Sequence, residues 1–236
     1  MPQRKTAIRA ILFDKDGTLI DFQKSWGPIL RDAAMLAAQG DEAFAARLMA
    51  LGGMNPQSLI TAADTVFAAG NTEDIARLFI EAGARFEVAP LITALDALFI
   101  AGADHGVAVT DLAELFLCLR DRGFRLGIAS SDSEEAIWRL VRKQGLVHLV
   151  DFVCGYDTGF GHKPEAGMAL GFAQKIAHAP DEIAMVGDNL SDMRMGCAAG
   201  CGLNIAVLTG TGTAQTLGPE ADAVLPSIAD LPAFFG

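Results

Sequence analysis

The sequence is poor in basic residues, and this shortage limits what the protein can bind. Only 18 lysines and arginines stand against 29 aspartates and glutamates, which gives a net charge of −11. Proteins that bind nucleic acid usually carry a basic face, so a nucleic-acid partner is disfavoured. Because the overall field repels anions, any phosphate site needs local positive charge from a metal ion, a lysine or backbone N–H groups.

The sequence also lacks a long apolar run, although 51% of its 236 residues are hydrophobic and its mean hydropathy is +0.33. Charged residues or glycines interrupt every run within about a dozen residues, whereas a membrane span needs about 20. The polar, basic N-terminus is followed almost at once by Asp14, which leaves no room for a signal-peptide core. We therefore expect a cytoplasmic protein with no membrane partner.

The cysteines do not form the pattern of a metal site. Cys197 and Cys201 would share one face of a helix, but no histidine or second cysteine pair stands at zinc-ligand spacing. Together with Cys118 and Cys154, they are interpreted as reduced thiols without a disulfide or zinc role.

What the sequence does contain is a series of short apolar runs that alternate with helical patterns. Buried strands are predicted over 10–13, 124–129, 150–154, 183–186 and 203–208, with 223–225 as a shorter candidate. Helices are predicted over 111–122, 133–144, 164–178 and 192–199. This alternation predicts an α/β protein with a parallel sheet, in which ligands bind at the carboxyl ends of the strands.

One long segment interrupts the alternation. Apolar residues recur at helical spacing over 26–39, 42–51, 56–69, 72–82 and 91–101. A plain crossover between two parallel strands needs only one helix. We therefore predict an all-α domain over 21–105, inserted above the end of the first strand, and an α/β core domain over 1–20 and 106–236.

Two acids follow the first predicted strand directly. Asp14 and Asp16 stand in the segment DKDGT, and on a continuing strand their side chains would point to the same side. Acids at a buried strand end are costly unless a cation or hydrogen bonds compensate them, which suggests a functional site. An ordinary Asp-Gly turn with a solvated acid would explain the same segment.

The fourth predicted strand also ends at an acid, Asp188, in the segment GDNLSD. Asp192 follows four residues later and could simply be the N-cap of the next helix. Combined with Asp14 and Asp16, however, Asp188 would supply oxygen ligands of the kind that Mg²⁺ prefers.

The remaining candidates are two serines and a lysine. Ser130 and Ser131 end the second predicted strand, where a hydroxyl and the N–H groups of the turn could bind a phosphoryl oxygen, or a serine could merely cap a helix. Lys163, in GHKPEAG, is either a surface lysine or a positive charge for a phosphate or a carboxylate. Because the carboxyl ends of parallel strands share one edge, we predict that these residues form one site with the acids.

Taken in this order, the residues resemble the haloacid dehalogenase-like (HAD) superfamily. The resemblance rests on DKDGTL at 14–19, the serine that ends LGIAS, the lysine of GHKPEAG and GDNLSD at 187–192, and it covers essentially the whole chain. The helical insertion resembles the C1-type cap of phosphoglycolate-phosphatase-like and β-phosphoglucomutase-like members. The resemblance implies a Rossmann-like, three-layer core with an all-α cap domain.

The resemblance also implies a role for each acid. Asp14 would be the nucleophile that forms an aspartyl-phosphate, and Asp16 would be the general acid and then the general base. Mg²⁺ would be held by Asp14, by the backbone carbonyl of Asp16 and by Asp188. Asp192 would contact these ligands without binding the metal directly, or would bind the metal through a water molecule.

For the phosphate, the resemblance implies that Ser130, Ser131 and Lys163 bind phosphoryl oxygens and that Lys163 also shields the nucleophile. An acid at position 16 favours the phosphatase or phosphomutase branch, because dehalogenases and phosphonatases lack it and P-type ATPases have threonine there. The leading hypothesis is Mg²⁺-dependent hydrolysis of a small phosphate monoester, such as phosphoglycolate or a sugar phosphate, by a monomer or homodimer. A phosphomutase of the β-phosphoglucomutase type and a non-catalytic binding protein on the same fold are the alternatives.

The sequence leaves the substrate open. Residues 106–110 read GVAVT where phosphoglycolate-phosphatase-like members usually have a Pro-Gly step. Specificity would come from the cap, but the sequence does not show which cap residues face the site. The candidates are Asp21, Lys24, Trp26, Arg31, Arg47, the loop 52–55, Arg77 and Arg85.

Overall fold

A single parallel sheet organises the chain, which we describe from a computed structural model for residues 7–63, 65–102 and 106–236. Its six strands lie in the order β3-β2-β1-β4-β5-β6. They are β1 (Ala10–Phe13), β2 (Arg125–Ala129), β3 (Phe152–Cys154), β4 (Ile183–Gly187), β5 (Leu203–Val207) and β6 (Ala223–Leu225). The predicted parallel α/β sheet is confirmed, and β1, which carries the DKDGT segment at its end, lies between β2 and β4.

Helices surround the sheet and also make up the insertion after β1. They are α1 (Phe22–Ala37), α2 (Glu42–Gly52), α3 (Val66–Ala69), α4 (Thr72–Glu81), α5 (Val88–Gly102), α6 (Leu112–Asp121), α7 (Glu134–Lys143), α8 (Gly167–Ile176), α9 (Leu190–Ala199), α10 (Ala214–Leu217) and α11 (Leu231–Phe234). In the described part of the chain, no helix has both the length and the apolar character that crossing a bilayer requires.

The sheet is buried on both faces, as its continuous apolar runs predict. Ile11 and Phe13 of β1 pack in one apolar cluster with α6 and α7, while Ala10 and Leu12 pack in another with α8 and α9. Successive side chains of a strand point to opposite faces, so a strand covered by helices on both sides must be apolar throughout. The predicted three-layer core is confirmed.

The insertion has a core of its own. Helices α1, α2, α4 and α5 bury Leu30, Leu48, Phe79 and Leu95 against one another, with less than 2% of each side chain exposed. The predicted all-helical character of the insertion is confirmed. Its bounds as a domain, at 20/21 and 105/106, stay a prediction, and residues 103–105 next to the second bound lie outside the described part of the chain.

The helix predicted over 56–69 is wrong for most of its length, since among the described residues of this range only those of α3 are helical. The side chain of Asn55 accepts hydrogen bonds from the backbone N–H groups of Gln57 and Ser58, at 2.9 and 3.0 Å. Such bonds between a side chain and nearby backbone compete with the helical hydrogen-bond pattern and stabilise a turn instead. Apolar spacing alone did not reveal this turn.

Candidate functional site

The carboxyl ends of β1, β2 and β4 open into a cavity that the helical insertion closes from above. It encloses about 580 Å³, part of which is open to solvent. The residues predicted to form one site all line this cavity: Asp14, Asp16, Ser130, Ser131, Lys163, Asp188 and Asp192. We call this polar set the floor of the cavity.

Lys163 connects two acids of the floor. Its Nζ lies 2.5 Å from Oδ1 of Asp14 and 2.7 Å from Oδ1 of Asp192, and only 2% of its side chain is exposed. Burial alone would lower the pKa of Lys163, but the two carboxylates outweigh burial and raise it. The ammonium group is therefore charged at neutral pH and fixes both acids in place.

Asp14 follows β1 without a break, and its backbone N–H donates to the carbonyl of Val186 on β4 at 2.8 Å. Burial raises the pKa of the Asp14 carboxyl to about 7, against the opposing charge of Lys163. The neighbouring carboxylates of Asp192 and Asp16 contribute to this rise in pKa. An additional cation beside Asp14 would favour its ionised form.

Three acids of the floor converge. Carboxylate oxygens of Asp14, Asp188 and Asp192 lie within 4.8 Å of one another, and all three residues are buried. Burial raises the pKa of Asp188 well above its usual value, and the charges of Asp14 and Asp192 add to this effect. One lysine cannot neutralise three carboxylates, and an all-oxygen ligand set suits a hard divalent cation. The cluster could therefore hold a divalent metal ion.

The position of Asp188 depends on two glycines. Gly17 has a φ of 89°, and a Cβ on Gly17 or on Gly210 would collide with the Asp188 carboxylate. The same carboxylate accepts a hydrogen bond from the backbone N–H of Thr211 at 2.9 Å. Glycine is therefore needed at position 17 for two reasons: it adopts the left-handed backbone conformation without strain, and it leaves room for the Asp188 carboxylate.

Asp16 also lines the cavity but has different partners from this cluster of acids. Its carboxylate accepts a hydrogen bond from Nε1 of Trp26 on α1, and Nζ of Lys15 lies 2.6 Å from its other oxygen. Lys15 is itself buried and also pairs with Asp132 at 3.1 Å. Burial lowers the pKa of Lys15, but Asp16 and Asp132 outweigh it and raise the pKa. Asp16 is therefore held by groups from both the sheet and the insertion.

The serines after β2 occupy different positions. Ser130 is 1% exposed, and its hydroxyl oxygen accepts a hydrogen bond from the backbone N–H of Asp132 at 3.1 Å. Its own proton can therefore be donated towards the cavity. Ser131 is half-buried and lines both the cavity and an adjoining hollow. The helix cap that either serine could have provided comes instead from Ser133, which accepts from Ala136 at the start of α7.

The insertion contributes a surface that the sequence did not reveal. Among the described residues, the large side chains with which it lines the cavity are apolar: Phe22, Trp26, Leu30, Phe67, Ile75 and Phe99. We call these six side chains the ceiling of the cavity. Of the cap candidates, only Trp26 belongs to it, and Lys24 instead pairs with Asp21 at 2.7 Å on the surface. Apolar residues at helical spacing look the same in a sequence whether they face a core or a cavity.

A second unpredicted contact joins the insertion to the sheet. Asp96 of α5 accepts one hydrogen bond from the hydroxyl of Tyr156, which follows β3, and one from the hydroxyl of Thr72, both at 2.7 Å. Burial and the Asp96 carboxylate raise the pKa of Tyr156. The phenol therefore stays protonated and donates to Asp96.

Together, this fold and this floor define a class of protein: an α/β protein whose buried acids follow parallel strands beneath a helical insertion. The sequence model of the haloacid dehalogenase-like hydrolase family matches residues 8–200. The chain belongs to this family.

Individual relatives agree with this assignment. A phosphoglycolate phosphatase of Chromobacterium violaceum is 35% identical over 129 residues, which are 55% of this chain and 57% of that protein. The pyrophosphatase PpaX of Bacillus pumilus is 27% identical over 135 residues, which are 56% of this chain and 62% of that protein. The chain therefore matches less than two thirds of the length of either relative. The predicted resemblance to the phosphoglycolate-phosphatase-like subgroup is confirmed.

A solved structure supports the fold over almost the whole chain. The structure of CbbY from Rhodobacter sphaeroides in complex with phosphate covers 95% of this chain and 96% of its own, with 23% identity and a TM-score of 0.70. At this identity the likeness concerns the fold, and it confirms an α/β core with a helical cap.

Proposed function

We propose that the chain is a Mg²⁺-dependent phosphatase of small phosphate monoesters that transfers the phosphoryl group to Asp14. The observation that carries this proposal is the bridge of Lys163 between Asp14 and Asp192, next to Asp188 on the floor of the cavity. A carboxylate can attack a phosphate dianion only where positive charge offsets the repulsion, and Lys163 together with a cation at the three clustered acids would supply that charge.

The oxygen donors fit a magnesium ion. Asp14 and Asp188 would hold it together with the backbone carbonyl of Asp16, and the position of Asp192 beside them supports a role at the same ion. When bound, Mg²⁺ would supply positive charge that offsets the phosphoryl oxygens and favours the ionised form of Asp14. The raised pKa values of Asp14 and Asp188 support this interpretation, because three buried carboxylates share one lysine.

In the first step, a carboxylate oxygen of Asp14 forms a bond to phosphorus while the bond from phosphorus to the alcohol oxygen breaks. Asp16 gives its proton to the departing oxygen, so that a neutral alcohol leaves. Lys163 and the hydroxyl of Ser130 bind the phosphoryl oxygens, and N–H groups of the turn at Ser131 assist them. Trp26 positions Asp16 through its indole N–H, which donates to the Asp16 carboxylate.

In the second step, water attacks the aspartyl-phosphate and Asp16 takes the proton of that water. The phosphorus–Asp14 bond breaks, which releases inorganic phosphate and restores both acids. A phosphomutase would instead return the phosphoryl group to a sugar. The two activities differ in their products, free phosphate in one and an isomerised sugar phosphate in the other.

The test is release of inorganic phosphate from a panel of phosphorylated metabolites, assayed with Mg²⁺, with EDTA, and with Mg²⁺ restored. We expect turnover with Mg²⁺, loss with EDTA and recovery on restoration. Asp14→Asn should abolish turnover, with a loss of about 10⁴-fold or more, because an amide does not attack phosphorus.

The matched control is Asp121→Asn, the same change at an exposed position at the end of α6. It should leave turnover unchanged. Hydrolysis that survives in a well-folded Asp14→Asn protein would exclude Asp14 as the nucleophile. Sugar-phosphate isomerisation without phosphate release would favour the phosphomutase.

A further inference from the structure

The ceiling of the cavity is aromatic and aliphatic. Its six side chains come from α1, α3, α4 and α5, and each is no more than 8% exposed. Phe99 packs edge-on against Trp26 at 5.3 Å between ring centroids, and Phe67 packs edge-on against Phe79 at 5.9 Å. These rings are fixed in place, so the ceiling offers a preformed apolar surface opposite the floor.

Positive charge in the cavity is confined to the floor. Among the described residues that line it, Lys163 is the only lysine or arginine, and it is already bound to Asp14 and Asp192. The other buried lysine, Lys15, lies behind the cavity wall between Asp16 and Asp132. The ammonium of Lys15 lies 5.2 Å from the centroid of the Trp26 ring, but both lysines are already paired with two carboxylates each, so neither is left to neutralise a second anionic group under the ceiling.

The lysines and arginines of the insertion do not line the cavity; they are Lys24, Arg31, Arg47, Arg77 and Arg85. Lys24 and Arg31 pair with acids on the surface, at 2.7 and 3.0 Å, and more than half of each side chain is exposed. Arg77 borders a hollow outside the cavity, but it pairs with Glu73 at 2.5 Å and shares the hollow with Asp74 and Glu81. Lys163 also borders this hollow, but it is bound to Asp14 and Asp192, so both of the hollow's cations are already paired with acids.

The polar groups that the insertion does bring to the cavity are few and mostly engaged. The hydroxyl of Thr72 donates to Asp96, and the side-chain oxygen of Asn71 accepts from Asp74 at the start of α4. The amide N–H₂ of Asn71 offers two N–H donors. This is too little to replace the water around a second phosphate or a carboxylate.

We infer that the substrate is the phosphate monoester of an uncharged alcohol with an apolar, ring-sized body, and not one that carries a second phosphate or a carboxylate. Binding of an apolar body is favoured because it leaves water and packs against the ceiling. A second anion would instead be buried without a cationic partner, in a cavity lined by five aspartates. This inference rests on the proposed function and narrows its substrate class. It separates the chain from a phosphatase of phosphoglycolate, whose alcohol carries a carboxylate.

The test compares three esters that differ only in one substituent: benzyl phosphate, 4-carbamoylbenzyl phosphate and 4-carboxybenzyl phosphate. The amide and the carboxylate are nearly equal in size, so this pair isolates the charge. We expect kcat/KM for the carboxylate to be lower than for the amide by about tenfold or more. Equal values, or a preference for the carboxylate, would overturn the inference.

A substitution in the ceiling region provides a second measurement. Ala68 is half-buried, lines the cavity and lies on α3. Ala68→Lys should raise the relative kcat/KM of the carboxylate ester by about fivefold, while Ala68→Met, of similar length but without charge, should not. If both variants change the ratio equally, charge is not what excludes the carboxylate, and the inference fails.

A binding measurement distinguishes a failure of this inference from a failure of the proposed function. Calorimetry with Mg²⁺ and the non-hydrolysable 4-carbamoyl- and 4-carboxybenzylphosphonates requires no turnover. If neither ester is hydrolysed but the neutral phosphonate binds more tightly, the proposed function falls and the apolar preference stands. If both esters are hydrolysed at equal rates, the proposed function stands and the preference falls.

Discussion

The floor and the ceiling of the cavity differ in almost every physical property. The floor is polar, comes from residues that follow the strands, and is fixed by short ion pairs such as that of Lys163 with Asp14. The ceiling is apolar, comes from four helices of the insertion, and is fixed by contacts between rings. From this comparison we propose that the floor recognises the phosphoryl group and that the ceiling recognises the alcohol.

The largest effect is expected in the floor, from Lys163→Met. This change leaves Asp14 and Asp192 without their cation and removes a charge that would bind the phosphoryl group. We expect kcat/KM to fall by about 10³-fold for every ester, whatever its alcohol. Steady-state kinetics on the three benzyl esters measures this.

The control is Lys175→Met, at an exposed position on α8, which should leave the kinetics unchanged. If Lys163→Met lowered kcat/KM by very different factors for the neutral and the charged esters, the floor would also contribute to recognition of the alcohol. The proposed separation of phosphoryl recognition from alcohol recognition would then be wrong.

The next effect concerns stability and compares a buried ion pair of the floor with an exposed one of the insertion. Lys15→Met removes the partner of Asp16 and Asp132, both in contact with a lysine that is 3% exposed. We expect the free energy of unfolding to fall by about 3 kcal/mol, because two carboxylates lose their partner in a buried site. Lys24→Met breaks the exposed pair with Asp21 and should cost less than about 1 kcal/mol.

Urea denaturation of both variants measures the difference. The substitution Asp132→Asn in the Lys15→Met background should recover part of the loss, since it removes one of the unpaired charges. Equal, small losses in the two single variants would show that Lys15 is effectively solvated.

The difference between the floor and the ceiling also explains which parts of the site the sequence predicted. The floor could be located because each residue follows an apolar strand, and parallel strands bring their carboxyl ends to one edge. The bridge between Lys163 and Asp14 joins positions 149 residues apart, and it follows from this topology once the strands are identified. The parallel sheet was predictable for the same reason, since buried strands are continuous apolar runs.

The ceiling was not predictable in this way. Phe67 and Phe99 have the same helical spacing as core residues such as Phe79, and only the three-dimensional packing shows which of them line a cavity. The contact of Tyr156 with Asp96 joins two unremarkable polar residues that no local pattern relates. The turn at Asn55 was missed because one side chain, and not the apolar pattern, decides the local backbone.

A smaller effect is expected from the ceiling itself. Phe67→Leu removes a ring that lines the cavity and packs against Phe79. We expect kcat/KM for benzyl phosphate to fall by about fivefold, which corresponds to the loss of an aromatic contact. Product inhibition by inorganic phosphate should not change, because phosphate does not reach the ceiling. A parallel rise in the inhibition constant of phosphate would show that ceiling and floor are not separate.

The smallest effect concerns the hydrogen bond that joins the insertion to the segment after β3. Tyr156→Phe keeps the ring but removes the hydroxyl that donates to Asp96 of α5 at 2.7 Å. The site is half-buried, so we expect the free energy of unfolding to fall by about 1 kcal/mol. Asp96→Asn keeps an acceptor for the same hydroxyl and should lower the free energy of unfolding by less.

Urea denaturation also shows whether the insertion and the sheet unfold as one unit. If α1 to α5 unfold together with the sheet, both variants will shift one cooperative transition in urea. A separate, earlier transition of the helical insertion in Tyr156→Phe would show instead that this one contact couples two units of different stability, since removing it lets the weaker unit unfold first.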